Sequence, residues 1–104
     1  MNVSVVLPSF NRARLLPITI PTYFQEDVSE VILVDDCSSD NTAEVVKELQ
    51  TRFPTLRYFR NEVNSKQPYT QNVAISKVQS EYIYFGDDDS VLYPGSIRNL
   101  LNVM

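Results

Sequence analysis

Short apolar runs, each halted by a polar turn and followed by a helix-forming stretch, set the narrowest limit on what this chain can become. Val3 to Leu7 is apolar apart from Ser4, and Val31 to Val34 is apolar throughout. Leu56 to Phe59 alternates in part, and Tyr82-Ile83-Tyr84-Phe85 is aromatic and β-branched and ends at Gly86. Runs of this length and make-up read as strands. The first reads as a central strand and the Tyr82–Phe85 run as a buried one. Strand and helix alternate about four times. The chain is therefore predicted to be α/β, a three-layer α/β/α Rossmann-like parallel sheet.

The helices between these strands carry their own signals. Leu15 to Phe24 reads as the first, with Pro17 acceptable in its opening turn. Pro21 removes a hydrogen bond and clashes with the turn before it, so this helix is expected to be kinked, split or short. Asp40 is predicted to cap a helix running to about Arg52, with Ala43, Val46, Leu49 and Phe53 facing inward. Pro68 suits the start of a helix carrying Tyr69, Val73, Ala74 and Val78. Pro94 opens another, with Ile97, Leu100, Leu101 and Met104 on one face.

A chain of 104 residues makes one domain, residues 1–104, with one modest core. Its last residues fall inside an amphipathic pattern, so it is expected to be cut from a longer protein or to be a very small relative of one. An apolar face left without its partner half is expected to support a homodimer. Thirteen acidic residues against nine basic give a net charge of −4, without the basic face of a nucleic-acid binder. The absence of histidine excludes Ser-His triads, Cys-His dyads and most zinc sites. The single Cys37 excludes an internal disulfide. No apolar run approaches the roughly 18 residues of a membrane span, and no signal-peptide pattern opens the chain. The expected location is cytoplasmic, with membrane association left open for a longer form. Chemistry must rest on carboxylates, hydroxyls, amides, Lys and Arg, with a borrowed metal ion where one is needed.

In open α/β sheets, ligands bind beyond the carboxyl ends of the strands. Three loops leave such ends: Pro8 to Arg12, Asp35 to Asp40, and Asp87 to Ser90. Parallel strands place all three on one rim. Asp87, Asp88 and Asp89 are consecutive carboxylates. Two such charges about 4 Å apart repel by roughly 1 kcal/mol in water and about 4 kcal/mol near a protein surface. A hard divalent cation shared with phosphate oxygens offsets that repulsion; a solvated acidic turn is the other reading. The convergence of three loops favours the cation. Asp36 could accept a hydrogen bond from a nucleobase edge. Phe10 could pack on the base's face or lie in the core, and Ser9 or Asn11 could contact base or ribose. Asp89, with Asp87 or Asp88, could hold an ion bridging two phosphates. Asp35 to Asp40 can equally be a capping turn, and Arg12, Arg14 and Lys66 solvated charges.

The stretches VVLPSFNRARLL, VILVDDCSSDNT and NEVNSKQPYTQNVAISKVQSEYIYFGDDDSVLYPGSI, in this order and spacing, resemble the N-terminal half of the inverting GT-A glycosyltransferases (family 2-like). That large family is typified by bacterial polysaccharide and cell-wall sugar transferases. The resemblance covers nearly the whole chain. It implies a GT-A half-domain, a nucleotide-diphosphate-sugar donor, often a UDP-sugar, and Mg²⁺ or Mn²⁺. By position, Pro8, Ser9, Phe10 and Arg12 match the first nucleotide-contacting loop, and Asp36 the base-binding aspartate. Asp87 to Asp89 match the Asp-x-Asp segment, with Asp89 the metal ligand, Asp87 beside it and Asp88 nearer the ribose. Ser65 and Lys66 stand where the family has glycines, Gln71 precedes Asn72 where it has an Arg-Asn pair, and Phe10 replaces a commoner Tyr. The family's site for a carbohydrate or lipid-linked acceptor, and its catalytic carboxylate, lie in the second half. The resemblance therefore implies that these residues bind donor without turning it over. A non-enzymatic nucleotide-binding or interaction module with the same half-fold is the first rival. A phospho-accepting signalling domain would want its acidic pair after the first strand, where this chain has Pro8-Ser9.

Overall fold

The computed structural model describes residues 2–61, 75–76 and 78–103. Four strands, β1 (Val3–Ser9), β2 (Val28–Asp35), β3 (Leu56–Arg60) and β4 (Tyr82–Phe85), form one sheet in the order β3-β2-β1-β4. Each neighbouring pair is parallel. Three helices whose bounds lie among the described residues accompany them: α1 (Leu16–Tyr23), α2 (Thr42–Arg52) and α3 (Ser96–Asn102). The predicted α/β architecture with a parallel sheet is observed. The helix expected from Pro68, together with Ser65, Lys66, Gln71 and Asn72, falls outside the described residues, apart from residues 75–76, which are helical, and Val78 at its end.

β1 and β2 are buried on both faces, which is why they read as near-continuous apolar runs. Alternate side chains serve the two sides. Val5, Leu7, Val31 and Leu33 pack with Leu16, Ile20 and Tyr23 of α1 and Val46 and Leu49 of α2. Val6, Ile32 and Val34 form the opposite cluster with Phe59 and Val78. α3 seats Ile97 and Leu101 against Val3, Tyr82 and Tyr84. Phe24 and Phe53, just beyond the ends of α1 and α2, stack at 4.6 Å and 13°, an aromatic pair that locks the two helices in register.

Three expectations are revised. β1 continues through Pro8 and Ser9, because Pro8 and Ser9 stay in register with Val34 and Asp35. Among the described residues β4 is an edge strand: it pairs there with β1 alone, and Ile83 and Phe85 are 38% and 49% exposed on one of its faces. α1 meets its expectation in being short: it has eight residues, is not split and ends at Tyr23. Pro21 lies inside it, and Pro17 sits in the first turn where a missing N–H costs nothing. Asn41, not Asp40, occupies the cap position of α2, and Ala43 is exposed. Asp40 still serves the first turn, since Oδ1 accepts from the Thr42 N–H at 3.1 Å and from the Thr42 hydroxyl.

Candidate donor-binding rim

Parallel pairing brings the carboxyl ends of β1, β2 and β4 to one rim, and the loops that follow are laced together there. Asp36 N–H donates to the Ser9 carbonyl at 2.8 Å, and Gly86 N–H donates to the Val6 carbonyl at 2.9 Å. Asn11 adopts φ 52°, a left-handed conformation that asparagine tolerates. Its N–H donates to Ser38 Oγ at 2.8 Å, and its Oδ1 accepts from the Ser39 N–H at 2.8 Å. Asn11 is thereby committed to joining the first loop to the second. Asp40 Oδ2 accepts from the Ala13 N–H at 3.1 Å and adds a second tie. Burial pushes the Asp40 carboxyl up, but the Thr42 and Ala13 donors outweigh it and leave it below its ordinary value.

The third loop reaches the first through Asp88. Its Oδ2 accepts from the Phe10 N–H at 3.3 Å, and its Oδ1 lies 3.6 Å from Arg12 Nε. Burial raises the Asp88 carboxyl above its ordinary value, against the pull of Phe10, Ser9 and Arg12. Ser9 Oγ is buried. It lies close enough to favour ionised Asp88, yet forms no well-made hydrogen bond. A buried hydroxyl in that state is costly unless a partner completes it. Asp87 and Asp89 are exposed, and Asp89 Oδ1 meets only the neighbouring Ser90 hydroxyl, at the 3.5 Å limit of a hydrogen bond. Phe10 is 44% exposed, which removes the core reading for its ring.

Asp35 and Asp36 have separate tasks. Asp35 is fully buried and accepts from the Ser38 N–H at 3.0 Å, the Ser38 hydroxyl, the Tyr58 hydroxyl at 2.6 Å and Arg60 Nη1 at 3.3 Å. Burial first, and the Asp35 charge second, push the Tyr58 hydroxyl up to about 12, so it stays a donor at working pH. Asp36 is 8% exposed, and its Oδ1 accepts from Asn61 Nδ2 at 3.1 Å.

The structure thus gathers Pro8, Ser9, Phe10, Arg12, Asp36 and Asp88 at one rim, with Asp87 and Asp89 beside them. Asp88 is drawn toward the first loop and away from its two acidic neighbours. Among the described residues no three carboxylate or thiol groups converge into a metal cage. Sequence reasoning passed over Asn11 and Ser38 as lacing residues and Tyr58 and Arg60 as the anchors of Asp35. It also passed over Tyr23. An aromatic at the helical spacing of Leu16 and Ile20 signals core, and nothing local reveals what its hydroxyl reaches.

The model of the family described as Glycosyl transferase family 2 matches residues 4–104. The GalNAc(5)-diNAcBac-PP-undecaprenol beta-1,3-glucosyltransferase of Campylobacter jejuni is 34% identical over 102 residues, which cover 95% of this chain and 33% of that protein. The crystal structure of Staphylococcus aureus TarS 1–349 in complex with UDP-GlcNAc superposes with a TM-score of 0.85 at 26% identity, covering 98% of this chain and 30% of that one. A mannosyltransferase from Pyrobaculum calidifontis, solved with GDP-Man and Mn²⁺, has the same fold, with a TM-score of 0.88 at 22% identity over 96% of this chain and 31% of its own. The chain therefore spans about a third of the length of these proteins.

Proposed function

This chain belongs to glycosyl transferase family 2, and on that premise we propose that it is the donor-binding portion of an inverting glycosyltransferase, taking a nucleotide-diphosphate sugar, a UDP-sugar first among them, together with Mg²⁺ or Mn²⁺. The observation that carries this reading is Asp88, held by the Phe10 N–H and Arg12, beside a buried Ser9 hydroxyl that lacks a well-made hydrogen bond. A ribose hydroxyl supplies the missing partner and meets Asp88 in the same place. The UDP-GlcNAc complex of the 26% identical TarS supports the donor class.

The residues take their parts from this arrangement. Asp36 accepts an N–H from the base edge, and the exposed Phe10 ring covers the base's face. Pro8 lacks an N–H and stiffens the backbone entering the loop. Arg12 neutralises Asp88 and turns its carboxylate toward the sugar. Asp87 and Asp89 supply exposed hard oxygen donors. Mg²⁺ and Mn²⁺ need only one or two protein carboxylates beside phosphate oxygens and water, so the lack of a three-carboxylate cage suits the group. A bound divalent ion stabilises the charge that builds on the departing diphosphate. Deprotonating the acceptor requires a base near its hydroxyl. We place that base, and the carbohydrate or lipid-linked acceptor, in sequence beyond these residues, so the 104-residue chain binds donor without turnover. We place the protein in the cytoplasm, membrane-associated in a longer form.

Calorimetry with UDP, with and without Mn²⁺, tests the reading. We expect heat that depends on the metal and disappears in Asp89→Ala. Equal binding with and without Mn²⁺, or full retention in Asp89→Ala, removes the metal assignment. No UDP binding under either condition turns the choice to a non-enzymatic module of the same half-fold.

A further inference from the structure

The acidic turn is held from behind by α1. Tyr23 is 2% exposed, and its ring occupies the space beside Gly86. A Cβ at Gly86 would sit 2.6 Å from Leu7 Cδ2 and 2.7 Å from Tyr23 Cε1, closer than real carbon atoms approach. Glycine is required at 86 for this close packing, and the packing carries the Tyr23 hydroxyl to the backbone one residue on. There the hydroxyl donates to the Asp87 carbonyl at 3.1 Å and accepts from the Asp87 N–H at 3.1 Å. Both polar groups of one residue's backbone are thus bound by a single side-chain atom.

The neighbouring turn of α1 continues the grip. Thr19 Oγ1 donates to the Asp88 carbonyl at 3.2 Å. Thr22 Oγ1 accepts from the Leu92 N–H at 3.0 Å. Just past the helix, Gln25 Nε2 donates to the Tyr93 carbonyl at 2.7 Å and Oε1 accepts from the Ile97 N–H at 3.1 Å. α1 therefore sets the path of the chain from 87 to 97 by side-chain to backbone bonds, leaving the Asp87 and Asp89 carboxylates projecting outward. Burial raises the Tyr23 hydroxyl above its ordinary value, with the Asp87 and Asp89 charges adding to it, which keeps it protonated and able to donate.

We propose that Tyr23, seconded by Thr19, is a positioning residue that holds the acidic turn in the geometry its carboxylates need to take up a divalent cation with a nucleoside diphosphate. This rests on the donor-binding reading above. A cation with near-ideal octahedral demands tolerates little misplacement of its ligands, so a turn fixed at both the N–H and the C=O of Asp87 is preorganised at no cost on binding.

The test uses Tyr23→Phe, which keeps the ring that fills the space at Gly86 and removes only the hydroxyl. Thr19→Val is the second variant. Mn²⁺-dependent UDP binding should weaken about 5- to 10-fold in Tyr23→Phe, the worth of one to two hydrogen bonds. Metal-free UDP binding and stoichiometry should stay unchanged. A merely destabilised protein would instead lose binding-competent fraction at constant affinity. Hydrogen exchange at the Asp87 amide should rise in step. If the wild type shows metal-dependent UDP binding and Tyr23→Phe matches it, the positioning role is overturned while the donor-binding reading stands. If the wild type binds UDP equally with and without Mn²⁺, the metal assignment falls and takes this role with it; if it binds no UDP at all, the donor-binding reading falls as well. An unchanged Asp87 amide exchange rate in Tyr23→Phe overturns the clamp whatever the ligand does.

Discussion

Two adjacent aspartates show how far a residue's task depends on what surrounds it. Asp35 ends β2 inside the core, where the Ser38 N–H and hydroxyl, the Tyr58 hydroxyl and Arg60 all donate to it. Asp36, one residue on, sits at the rim with Asn61. A buried carboxylate survives only when its lone pairs are filled, so Asp35 serves the fold, while Asp36 stands at the rim, where we propose that it meets the nucleobase. Asp35→Ala strands the partly buried Tyr58 hydroxyl and the buried Ser38 N–H, and should lower stability in urea by about 3 kcal/mol. Arg60, with its side chain 43% exposed, recovers water and adds little. A loss under about 1 kcal/mol would remove the anchoring role. That a polar turn follows Val34 was legible in the sequence. Its division into anchor and rim was not, because both residues carry the same side chain and differ only in what folds over them.

At the level of elements, one carboxylate joins four segments of chain near the opposite end of the sheet. Glu30 of β2 accepts from Ser4 Oγ of β1 at 2.5 Å, Arg57 Nη1 of β3 at 2.9 Å and the Gln79 N–H ahead of β4 at 2.9 Å. Burial pushes the Glu30 carboxyl up, but these donors outweigh it, so its native value lies below the ordinary 4.5. A depressed acid stabilises the native state above its unfolded value. The contribution of Glu30 is therefore complete above about pH 4.5 and is lost as pH falls through the lower native value. Thermal melts from neutral to acid pH should show a weaker acid-limb decline in Glu30→Gln than in the wild type; parallel curves would exclude the linkage. The Pro21 effect on α1 could be read in advance, since a missing N–H acts within its own helix. The exposure of β4 could not. A four-residue aromatic run looks alike at the centre and at the edge of a sheet, and the count of its neighbours follows from where the β3-to-β4 connection returns.

For the molecule as a whole, the edge strand and α3 together form an apolar groove lined by Val3, Tyr82, Ile83, Tyr84, Ile97, Leu100 and Leu101. Ile83 is 38% and Leu100 46% exposed. An apolar strip beside a strand edge that no described residue pairs favours self-association. Sedimentation equilibrium of the 104-residue chain should reveal a concentration-dependent dimer that reverts to monomer in a combined Ile83→Glu and Leu100→Glu variant. A wild type that stays monomeric across the concentration range would sink the expected homodimer. The converged rim at the other end of the strands belongs to the same scale, for it exists only because β1, β2 and β4 run the same way.

The alternation of apolar runs with helical stretches was enough to establish a parallel sheet, and with it a shared rim for the loops after β1, β2 and β4, because short connections and chain chirality allow little else. Composition was enough to confine any chemistry to carboxylates, hydroxyls, amides, Lys and Arg, with a borrowed ion only where one is needed. Only the folded chain decided that Asp88 turns to Phe10 across 78 positions and that Tyr23 grips Asp87 across 64. Periodicity and sterics act between near neighbours in the chain. Hydrogen-bond partners at such separations are chosen by which strands lie side by side.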